Sequence, residues 1–361
     1  MIAQGVGELR RRFGDDAGGR LLVVGLSHRT ARVEQREKAC LAEPAARSLL
    51  SVLVRHPAIA ESAVLSTCNR TELFAVVDDP ARGEATLSQA LIDHSRITCD
   101  ELARAAYLYA EEAAARHLFR VAASLDSMVL GESEIQGQVR AARELARQEG
   151  TLGPLLHRTF AQALETGRRV RSQTRVAAGA VSVSSVAVDL ARTALGDLRD
   201  RRALLVGAGR AAEATARALL GQGLCEVVVA NRTPATASRL AARFGGRALG
   251  LQALIPSVAA VDVVISSTDT ARTILDADSL TRALNRERPT PLVLIDIAVP
   301  RDIDPRVGEL PGIRLHNIDD LMRVAEANLN GRRQEAARAE VIVTEAVMRF
   351  TAWRRRPHPG S

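Results

Sequence analysis

The sequence predicts a multidomain α/β protein with an N-terminal α+β sandwich, a helical middle segment and a doubly wound nucleotide-binding domain. Three observations predict this fold class. Residues 20–110 alternate between strand and helix patterns in the order β-α-β-β-α-β. Residues 111–195 are almost entirely helical in character, with apolar side chains at helical spacing. From Arg201 to about residue 318, short apolar strands alternate with helices, as in a parallel sheet.

The N-terminal sandwich is predicted to begin near Arg20, after a polar, glycine-rich segment at residues 1–19 that we expect to be a loose leader. Pro44 suits the first turn of the first helix. The order of elements is that of a ferredoxin-like fold, and it leaves residues 67–71 as a tight loop between two strands. The predicted strands cover residues 21–25, 63–66, 73–77 and the vicinity of Tyr107, and the predicted helices cover 44–55 and 85–95.

Beyond the sandwich, one long helix is predicted over residues 155–175, ended by Ala178-Gly179-Ala180, and a new helix follows from Ser182. The last segment, residues 319–353, predicts a single amphipathic helix, which at this length has to pack against something, often a second copy. The strands of the nucleotide-binding domain are predicted at residues 203–206, 226–230, 261–266 and 292–297, with a helix at 211–221.

Composition sets the limits of the interpretation. The 361 residues, 47% of them hydrophobic, can bury a sizeable core and divide into two or three domains. The chain contains no apolar run long enough to span a membrane and no signal-peptide pattern, so we expect a cytoplasmic protein. The net charge of +7 favours a polyanionic partner, although the single lysine and the abundance of alanine are explained as easily by genome base composition.

Cys68 is the candidate nucleophile. It lies at the tip of the predicted loop, beside Arg70 and between the hydrogen-bonding side chains of Thr67 and Asn69. Such surroundings are expected to lower the pKa of the thiol and make a thiolate available. The alternative is a small buried hydrophobic side chain, the commoner fate of a free cysteine. We assign that alternative to the other three cysteines, which show neither metal-ligand nor disulfide spacing: Cys40, Cys99 and Cys225.

A thiol nucleophile needs an acid, a base or an orienting group, and histidine is the usual choice. His117 is the favoured candidate because it is predicted to open a helix, whereas His94 and His157 look like solvent-facing helix positions. His28 is a further candidate. The spacing alone leaves a second interpretation open for His117, that of a surface histidine at a helix start.

A glycine-rich turn predicts the dinucleotide site. It follows the strand at 203–206 and opens the next helix, so its backbone can approach a pyrophosphate and the helix N-terminus can bind it. No ribose-binding carboxylate follows the next strand, and the arginine with two hydrogen-bonding side chains found there suits a 2′-phosphate, which favours NADP over NAD. The two sets are Gly207, Ala208, Gly209, Arg210, Ala211 and Ala212, and Asn231, Arg232 and Thr233.

Two further segments carry polar residues whose function the sequence leaves open. Residues 125–138 are polar at close intervals and can line a pocket for a small polar substrate, or can form a solvated junction between helices. Four arginines crowd one helix and can track a phosphate backbone or can form an ordinary solvated face. These are Arg168, Arg169, Arg171 and Arg175.

Five motifs, taken together and in order, make residues 21 to 353 similar to glutamyl-tRNA reductases. The motifs are residues 24–30, 66–72, 127–132, 179–184 and 295–302. The resemblance implies an NADPH-dependent oxidoreductase that converts glutamyl-tRNA to glutamate 1-semialdehyde, the first step of tetrapyrrole biosynthesis through 5-aminolevulinate. Cys68 would form a thioester as the tRNA leaves, His117 would assist, and NADPH would then supply hydride, without metal or flavin.

The same resemblance assigns residues and domains. It implies a catalytic domain at 20–154, a spinal helix at 155–177, an NADPH-binding Rossmann-like domain at 178–318 and a shortened dimerisation domain at 319–361. It also implies a homodimer joined through C-terminal helices and contact with glutamate-1-semialdehyde aminomutase, which consumes the product. The residues implied to bind the glutamyl group are Thr67, Cys68, Asn69, Arg70, Ser127, Glu132, Ser133, Glu134 and Gln138.

The sequence departs from the family pattern at several positions. Arg32 stands where the family usually has proline, Ala212 replaces the last glycine of the fingerprint, and Ser133-Glu134 replaces the commoner Pro-Gln. Glu134 adds a negative charge where the substrate carboxylate should approach. The tail ends before several helices that relatives usually carry.

Two alternative functions remain at this stage. One is a relative that binds glutamyl-tRNA without turning it over, for which Glu134 and the short tail are the motivation. The other is an NADP-dependent oxidoreductase of a small acid, similar to shikimate dehydrogenase, which would need no nucleophilic cysteine.

Overall fold

The computed structural model describes residues 19–128, 131–132, 134–176, 183–268, 270, 272–284, 291–327 and 333–355. The chain divides into two compact units. We call residues 1–180 together with 329–361 the sandwich unit, and residues 181–328 the nucleotide unit. The predicted leader, apart from Gly19, and the predicted helix break at Ala178-Gly179-Ala180 lie outside the described residues.

The sandwich unit is built on a four-stranded antiparallel sheet in the order β2-β3-β1-β4. Together with the helices between the strands, this order confirms the predicted ferredoxin-like fold. Two short helices, α1 and α4, are additional to the prediction. The elements are β1 (Arg20–Ser27), α1 (Val33–Ala39), α2 (Glu43–Leu53), β2 (Ile59–Ser66), β3 (Arg70–Val77), α3 (Pro80–His94), α4 (Cys99–Ala105) and β4 (Tyr107–Ala110).

Both faces of this sheet are covered, so its central strands carry apolar side chains on both faces. Leu22 and Leu73 point into a core shared with α2, α3 and α4. Leu21 and Phe74 point into a second core shared with three helices that follow β4, and the Phe74 and Phe160 rings meet edge to face at 5.4 Å. The helices are α5 (Glu111–Ala122), α6 (Ile135–Gln148) and α7 (Pro154–Gln173).

Helix α7 confirms the prediction of one long helix over this region. Its first turn is capped by a buried carboxylate of β2, because the Leu155 and Leu156 N–H groups donate to Glu61 at 3.0 and 2.6 Å. Within the sandwich unit, α7 packs against α5 and α6. Its predicted role as a spinal helix that connects the domains stays a prediction.

The C-terminal segment forms two described helices where one was predicted. Helix α13 (Ile318–Ala327) belongs to the nucleotide unit, and α14 (Arg333–Arg354) belongs to the sandwich unit. The two helices belong to different compact units, and the residues between them, 328–332, lie outside the described residues, so the continuity of the predicted single helix stays a prediction. Helix α14 covers α5 and α7 of its own chain, where Phe350 meets Phe119 at 6.0 Å between ring centroids. None of the described helices has the length and apolar composition that crossing a membrane requires.

The nucleotide unit contains a six-stranded parallel sheet in the order β10-β9-β8-β5-β6-β7. Two three-stranded halves meet where β5 lies beside β8, which is the doubly wound arrangement of dinucleotide-binding domains. The elements are α8 (Val183–Leu195), β5 (Arg202–Val206), α9 (Arg210–Gly221), β6 (Glu226–Asn231), α10 (Pro234–Arg243), β7 (Arg247–Gly250), α11 (Leu254–Val258), β8 (Val263–Ser266), α12 (Ala277–Ala283), β9 (Leu292–Asp296) and β10 (Ile313–Asn317).

Candidate active site

Cys68 lies at the tip of the hairpin loop that joins β2 to β3, as predicted. The loop is shorter than expected, because β3 already begins at Arg70. The Thr67 N–H donates to the Arg70 carbonyl at 2.8 Å, and the Thr67 hydroxyl oxygen accepts the Asn69 N–H at 3.1 Å. Thr67, Asn69 and Arg70 therefore fix the loop around the cysteine.

The surroundings of Cys68 do not lower its pKa, so that prediction is wrong. Burial and, after it, the carboxylates of Glu132 and Glu134 together raise the pKa of the Cys68 thiol to about 12, while Arg36 opposes them. Arg70 is not among the groups that mainly set the pKa of this thiol, and its guanidinium is bound by Glu72 and Asp126. Cys68 is therefore a neutral thiol that needs a base to become a nucleophile.

Arg70 is the centre of a buried ionic network. Its guanidinium contacts Glu72 Oε1 at 2.6 Å and Asp126 Oδ2 at 3.4 Å, and it also donates to the Asp126 carbonyl. Arg29 contacts the other oxygen of Asp126 at 2.5 Å. Burial alone would raise the pKa of Glu72, but His117 and Arg70 hold it at about 2. Glu72 is therefore a carboxylate at neutral pH, despite being completely buried.

His117 belongs to this network and not to the surface. It lies inside α5, which begins six residues earlier at Glu111, so the predicted helix start at His117 is wrong. Its Nε2 atom lies 2.8 Å from Glu72 Oε1, and its ring packs against Tyr107 and Tyr109 with centroids 5.3 and 5.0 Å away. No contact recorded for the described residues joins His117 to Cys68. The geometry places His117 in the ionic network of Glu72 and Arg70.

His28 is the histidine that the structure brings to the cysteine loop. The main-chain N–H of His28 donates to the main-chain carbonyl of Asn69, the residue after Cys68, at 2.8 Å. Within the described part of the chain, its buried Nδ1 atom has no hydrogen-bond partner. Burial, and then the charge of Arg70, lower the pKa of His28 to about 4. A pKa near 4 keeps the imidazole neutral at neutral pH and makes it a weaker base than an ordinary histidine. The sequence named His28 as a candidate but favoured His117.

The remaining predicted substrate residues lie partly around the same loop. Ser127 is buried, which excludes the solvated-junction interpretation for this part of residues 125–138. Burial raises the pKa of Glu132 to about 7; Ser127 lowers it and Glu134 raises it. Glu134 itself is exposed, and Gln138 is half-buried on α6. Ser133 lies outside the described residues.

The arginine-rich face of α7 is at least partly a structural surface. Arg169 forms an ion pair with Glu345 of α14 at 2.8 Å, and Arg171 donates to Gln136 at 3.4 Å. Arg168 is exposed, and the Arg175 N–H donates to Glu335 at 2.6 Å.

The glycine-rich turn has the geometry that a dinucleotide requires. Gly207 has φ of +105°, and a Cβ atom there would lie 2.9 Å from the Ser267 carbonyl oxygen, so only glycine fits. Around Gly209 a Cβ would meet nothing within 4 Å, and no side chain caps the N-terminus of α9 that Gly209 precedes. Ala212 is buried against the sheet. Among the described residues, none pairs with the first N–H groups of α9, so Gly207, Ala208, Gly209, Arg210, Ala211 and Ala212 form an open cradle that fits a pyrophosphate.

The residues predicted to bind the 2′-phosphate lie at the end of the neighbouring strand, β6. Asn231 closes β6 and donates to the Thr233 carbonyl at 3.3 Å. Arg232 and Thr233 are exposed. Since β5 and β6 are parallel neighbours, their carboxyl ends meet at one edge of the sheet, which is where dinucleotides bind.

Comparison with known proteins gives the family. Residues 24–174 match the model of the glutamyl-tRNA(Glu) reductase N-terminal domain, and residues 189–324 match that of shikimate/quinate 5-dehydrogenase. The chain is 43% identical over 333 residues to the glutamyl-tRNA reductase of Pelobacter propionicus, covering 92% of this chain and 76% of that one. It belongs to the glutamyl-tRNA reductase family.

Other members of the glutamyl-tRNA reductase family are similarly close. The protein from Rubrobacter xylanophilus is 44% identical, with 92% of this chain and 77% of that one covered, and the protein from Bacillus subtilis is 39% identical, with 92% and 73% covered. Among solved structures, glutamyl-tRNA reductase from Methanopyrus kandleri is 36% identical, with a TM-score of 0.49 and coverage of 92% and 80%. The dehydrogenase model over the nucleotide unit supports a nicotinamide cofactor for this family member.

Within the glutamyl-tRNA reductase motifs, residues 295–302 contain two carboxylates that the sequence analysis did not single out. Asp296 accepts the Ala298 and Ile303 N–H groups at 3.0 and 2.8 Å. Asp302 accepts the Ser266 hydroxyl at 2.5 Å and the Thr268 hydroxyl at 2.6 Å. The sequence feature that could have identified them is their position directly after a buried strand, within a motif that matches the family. They fix the carboxyl ends of β8 and β9 beside the glycine-rich turn, since Ser267 packs on Gly207.

Asp296→Asn is expected to flatten the pH dependence of the stability of the nucleotide unit. Burial, reinforced by Asp302, raises the pKa of Asp296 from 3.8 to about 7. A folded-state pKa above the unfolded value means that the contribution of Asp296 is fully present below about pH 4 and is lost as the pH rises to about 7. Asparagine does not titrate, so this slope disappears.

The measurement is the free energy of chemical unfolding at several values between pH 4 and 7.5, followed by circular dichroism. Asp278→Asn, at an exposed position on α12, is the control and should retain the wild-type slope. An unchanged slope in Asp296→Asn would contradict the assignment.

Proposed function

We propose that this chain reduces glutamyl-tRNA to glutamate 1-semialdehyde with NADPH and releases the tRNA, the first step of tetrapyrrole biosynthesis. The observation that carries the proposal is the fixed hairpin loop that presents Cys68, in a chain of the glutamyl-tRNA reductase family. Acyl transfer to sulfur requires a presented thiol and a base, and His28, whose main chain is bonded to this loop, is proposed as that base.

The acyl-transfer step is the attack of the Cys68 sulfur on the ester carbonyl. The thiol proton passes to a base, for which we propose His28, the C–S bond forms, the ester C–O bond breaks, and the proton is delivered to the departing ribose oxygen. The glutamyl group then remains as a thioester on Cys68. NADPH, when bound, supplies the hydride that converts this thioester to the aldehyde, and the thiol is regenerated with a proton from solvent.

The residues around the loop are proposed to hold the glutamyl group. Thr67, Asn69 and Arg70 shape the loop itself, and Ser127 and Glu132 lie beside it. The pKa of Glu132 near 7 allows it to be protonated when the negatively charged substrate binds, which limits the repulsion. Ser133, Glu134 and Gln138 complete the proposed set. His117 is proposed to assist by holding Glu72 and thus Arg70.

The cofactor is proposed to be NADPH, held by residues 207–212 with Asn231, Arg232 and Thr233. Arg232 is exposed at the carboxyl end of β6, where the ribose 2′-position of a bound dinucleotide lies.

Arg232→Ala is expected to raise the KM for NADPH by about 10-fold or more while leaving the KM for NADH unchanged, because one charged contact to the 2′-phosphate is lost. The measurement is the rate of glutamyl-tRNA reduction with each cofactor over a range of concentrations. Arg239→Ala, on the exposed surface of α10, is the matched control. Equal increases for both cofactors would contradict the role of Arg232.

The experiment that tests the function is NADPH oxidation by the full chain with purified glutamyl-tRNA, with uncharged tRNA as control. We expect oxidation with the charged tRNA alone and formation of an aldehyde. If the chain binds both tRNAs but oxidises no NADPH, it is a binding relative. If it oxidises a free small acid instead, the shikimate-dehydrogenase-like alternative holds.

A homodimer through the C-terminal helix is also proposed. Val341 and Met348 of α14 are 59% and 67% exposed, and their seven-residue spacing places them on one face of the helix. Large apolar side chains on one helix face favour contact with a second copy. Sedimentation of the full chain, wild type against Met348→Glu, tests this assembly. A cytoplasmic location and contact with glutamate-1-semialdehyde aminomutase are proposed from the family resemblance.

A further inference from the structure

We propose that a groove along the edge of β2 binds the terminal adenosine of the aminoacyl-tRNA, which rests on the function proposed above. The groove has a volume of about 380 Å³ and lies between α2 and α6 in the sandwich unit. We call it the β2-edge groove. Its lining includes Leu41, Ala46, Val64, Ser66, Gln138 and Ala141.

The position of the β2-edge groove relative to the nucleophile is the first argument. Ser66 lines the groove and precedes Cys68 by two residues, so their Cα atoms are at most about 7 Å apart. The substrate is an ester of the ribose of the terminal nucleotide. The base of that nucleotide is therefore one ribose away from the carbonyl that Cys68 attacks, and a groove beginning at Ser66 is within its reach.

The floor of the β2-edge groove offers hydrogen-bonding groups that the fold leaves unused. Strand β2 is at the edge of its sheet. Ser62 turns its N–H and C=O outward to Thr151, at 2.9 and 2.8 Å. Because residues two apart in a strand point their main-chain groups the same way, Val64 directs its N–H and C=O into the groove. Among the described residues none outside the sheet pairs with the Val64 main chain.

An unpaired N–H beside an unpaired C=O matches the edge of an adenine base. The Watson–Crick edge of adenine has an amino donor next to a ring-nitrogen acceptor, and proteins recognise unstacked bases by such edges together with contacts to the ring faces. Leu41, Ala46 and Ala142 supply the apolar surface for the ring faces. The volume of the groove is that of a small-ligand site.

The far end of the β2-edge groove is closed by an ionic clamp, which gives the site a direction. Arg47 of α2 reaches Gln148 at 3.0 Å and Glu149 at 2.5 Å and also pairs with Glu43 at 2.7 Å. Gln138 lies near the opposite end of α6 from Gln148, and Ser66 lies next to the cysteine loop. A nucleotide attached to the reacting ester would enter the groove from this side.

The test narrows the groove without touching the chemistry. Ala141 lies on the exposed surface of α6 and lines the groove, so Ala141→Phe fills space there with little risk to folding, and Ala141→Ser is the matched control. We expect Ala141→Phe to raise the KM for glutamyl-tRNA by about 10-fold or more, the usual cost of losing a two-point base contact, and Ala141→Ser to leave it unchanged.

Two further measurements separate this proposal from the proposed function. A small glutamyl thioester that carries no nucleoside should be reduced equally by all three proteins. Calorimetry with adenosine 5′-monophosphate, at saturating NADP⁺ so that the nucleotide unit is occupied, should show binding to wild type and Ala141→Ser and none to Ala141→Phe. If the chain reduces neither substrate, but wild type and Ala141→Ser bind the nucleotide and Ala141→Phe does not, the proposed function is contradicted and the adenosine site is supported.

The proposal is overturned if wild type and Ala141→Phe have the same KM for glutamyl-tRNA or bind the nucleotide equally. It is also overturned if wild type does not distinguish glutamyl-tRNA ending in adenosine from one ending in cytidine. A partner peptide that adds a strand to β2, detected as protection of the Val64 amide from exchange without any effect of the nucleotide, would replace adenosine as the occupant.

Discussion

Replacement of Cys68 by serine is expected to lower the rate of NADPH oxidation with glutamyl-tRNA on the order of 1,000-fold or more. The thioester is the species that hydride reduces, and a serine hydroxyl forms only another oxygen ester, which is no better an acceptor than the substrate. The serine hydroxyl is also a far weaker acid than the thiol, so a base removes its proton less readily. The measurement is the initial rate at saturating glutamyl-tRNA and NADPH.

Cys99→Ser is the matched control, because Cys99 is an exposed cysteine of the same unit. It should retain the wild-type rate. Binding of glutamyl-tRNA to Cys68→Ser, measured by filter retention, should also be retained, since the loop is fixed by Thr67 and Asn69. A Cys68→Ser protein with wild-type turnover would exclude the thioester and favour direct reduction of the ester.

Glu72→Gln is expected to destabilise the sandwich unit by about 3–5 kcal/mol, the usual cost of breaking a buried ion pair. Arg70 and Glu72 are 1% and 0% exposed, so the guanidinium left behind cannot recover its hydration. Denaturation by urea, followed by the fluorescence of Trp353, measures this effect. Trp353 is the single tryptophan and packs against the core of the sandwich unit, so it reports that unit alone.

Glu144→Gln is the control for this experiment. The Arg147–Glu144 pair is also 2.6 Å long, but its side chains are 53% and 47% exposed. Its loss should leave the stability almost unchanged, because water and salt already screen an exposed pair. Equal losses in the two variants would show that burial of the network is not what stabilises it.

The pH dependence gives an independent check on Glu72. Although burial opposes its charge, His117 and Arg70 hold the pKa of Glu72 at about 2, below its value of 4.5 in an unfolded chain. A depressed folded-state pKa contributes stability that is present above about pH 4.5 and is lost as the pH falls through about 2. Glu72→Gln should therefore be less stable at neutral pH and should lose less of its remaining stability on acidification.

Local pattern was enough to predict most of the fold. Each of three features can be predicted from residues close together in the chain. They are the β-α-β-β-α-β order, the long helix α7, and the strand, glycine turn and helix around Gly207. Their apolar periods and turn residues admit few alternatives. The short elements α1, α4, β7 and β10 were missed, since four to seven residues carry too little periodicity to distinguish a strand or helix from a loop.

Local pattern was not enough to predict electrostatics or packing between distant segments. Arg70 stands two residues from Cys68 and was expected to activate it, yet strand geometry sends its side chain to Glu72 and Asp126. His117 reads as a surface residue until the start of α5 at Glu111 is known. The C-terminal segment reads as one helix, whereas its two described helices belong to different compact units.

The sequence by itself determined the family, the fold class, the candidate nucleophile and the dinucleotide turn, because each depends on residues close together in the chain. Only the tertiary structure decided that Cys68 is a neutral thiol, that His28 is the histidine beside its loop, and that the edge of β2 is left open. These properties depend on burial and on charges contributed by distant segments, and the free energy of a buried charge is set by all its neighbours in space.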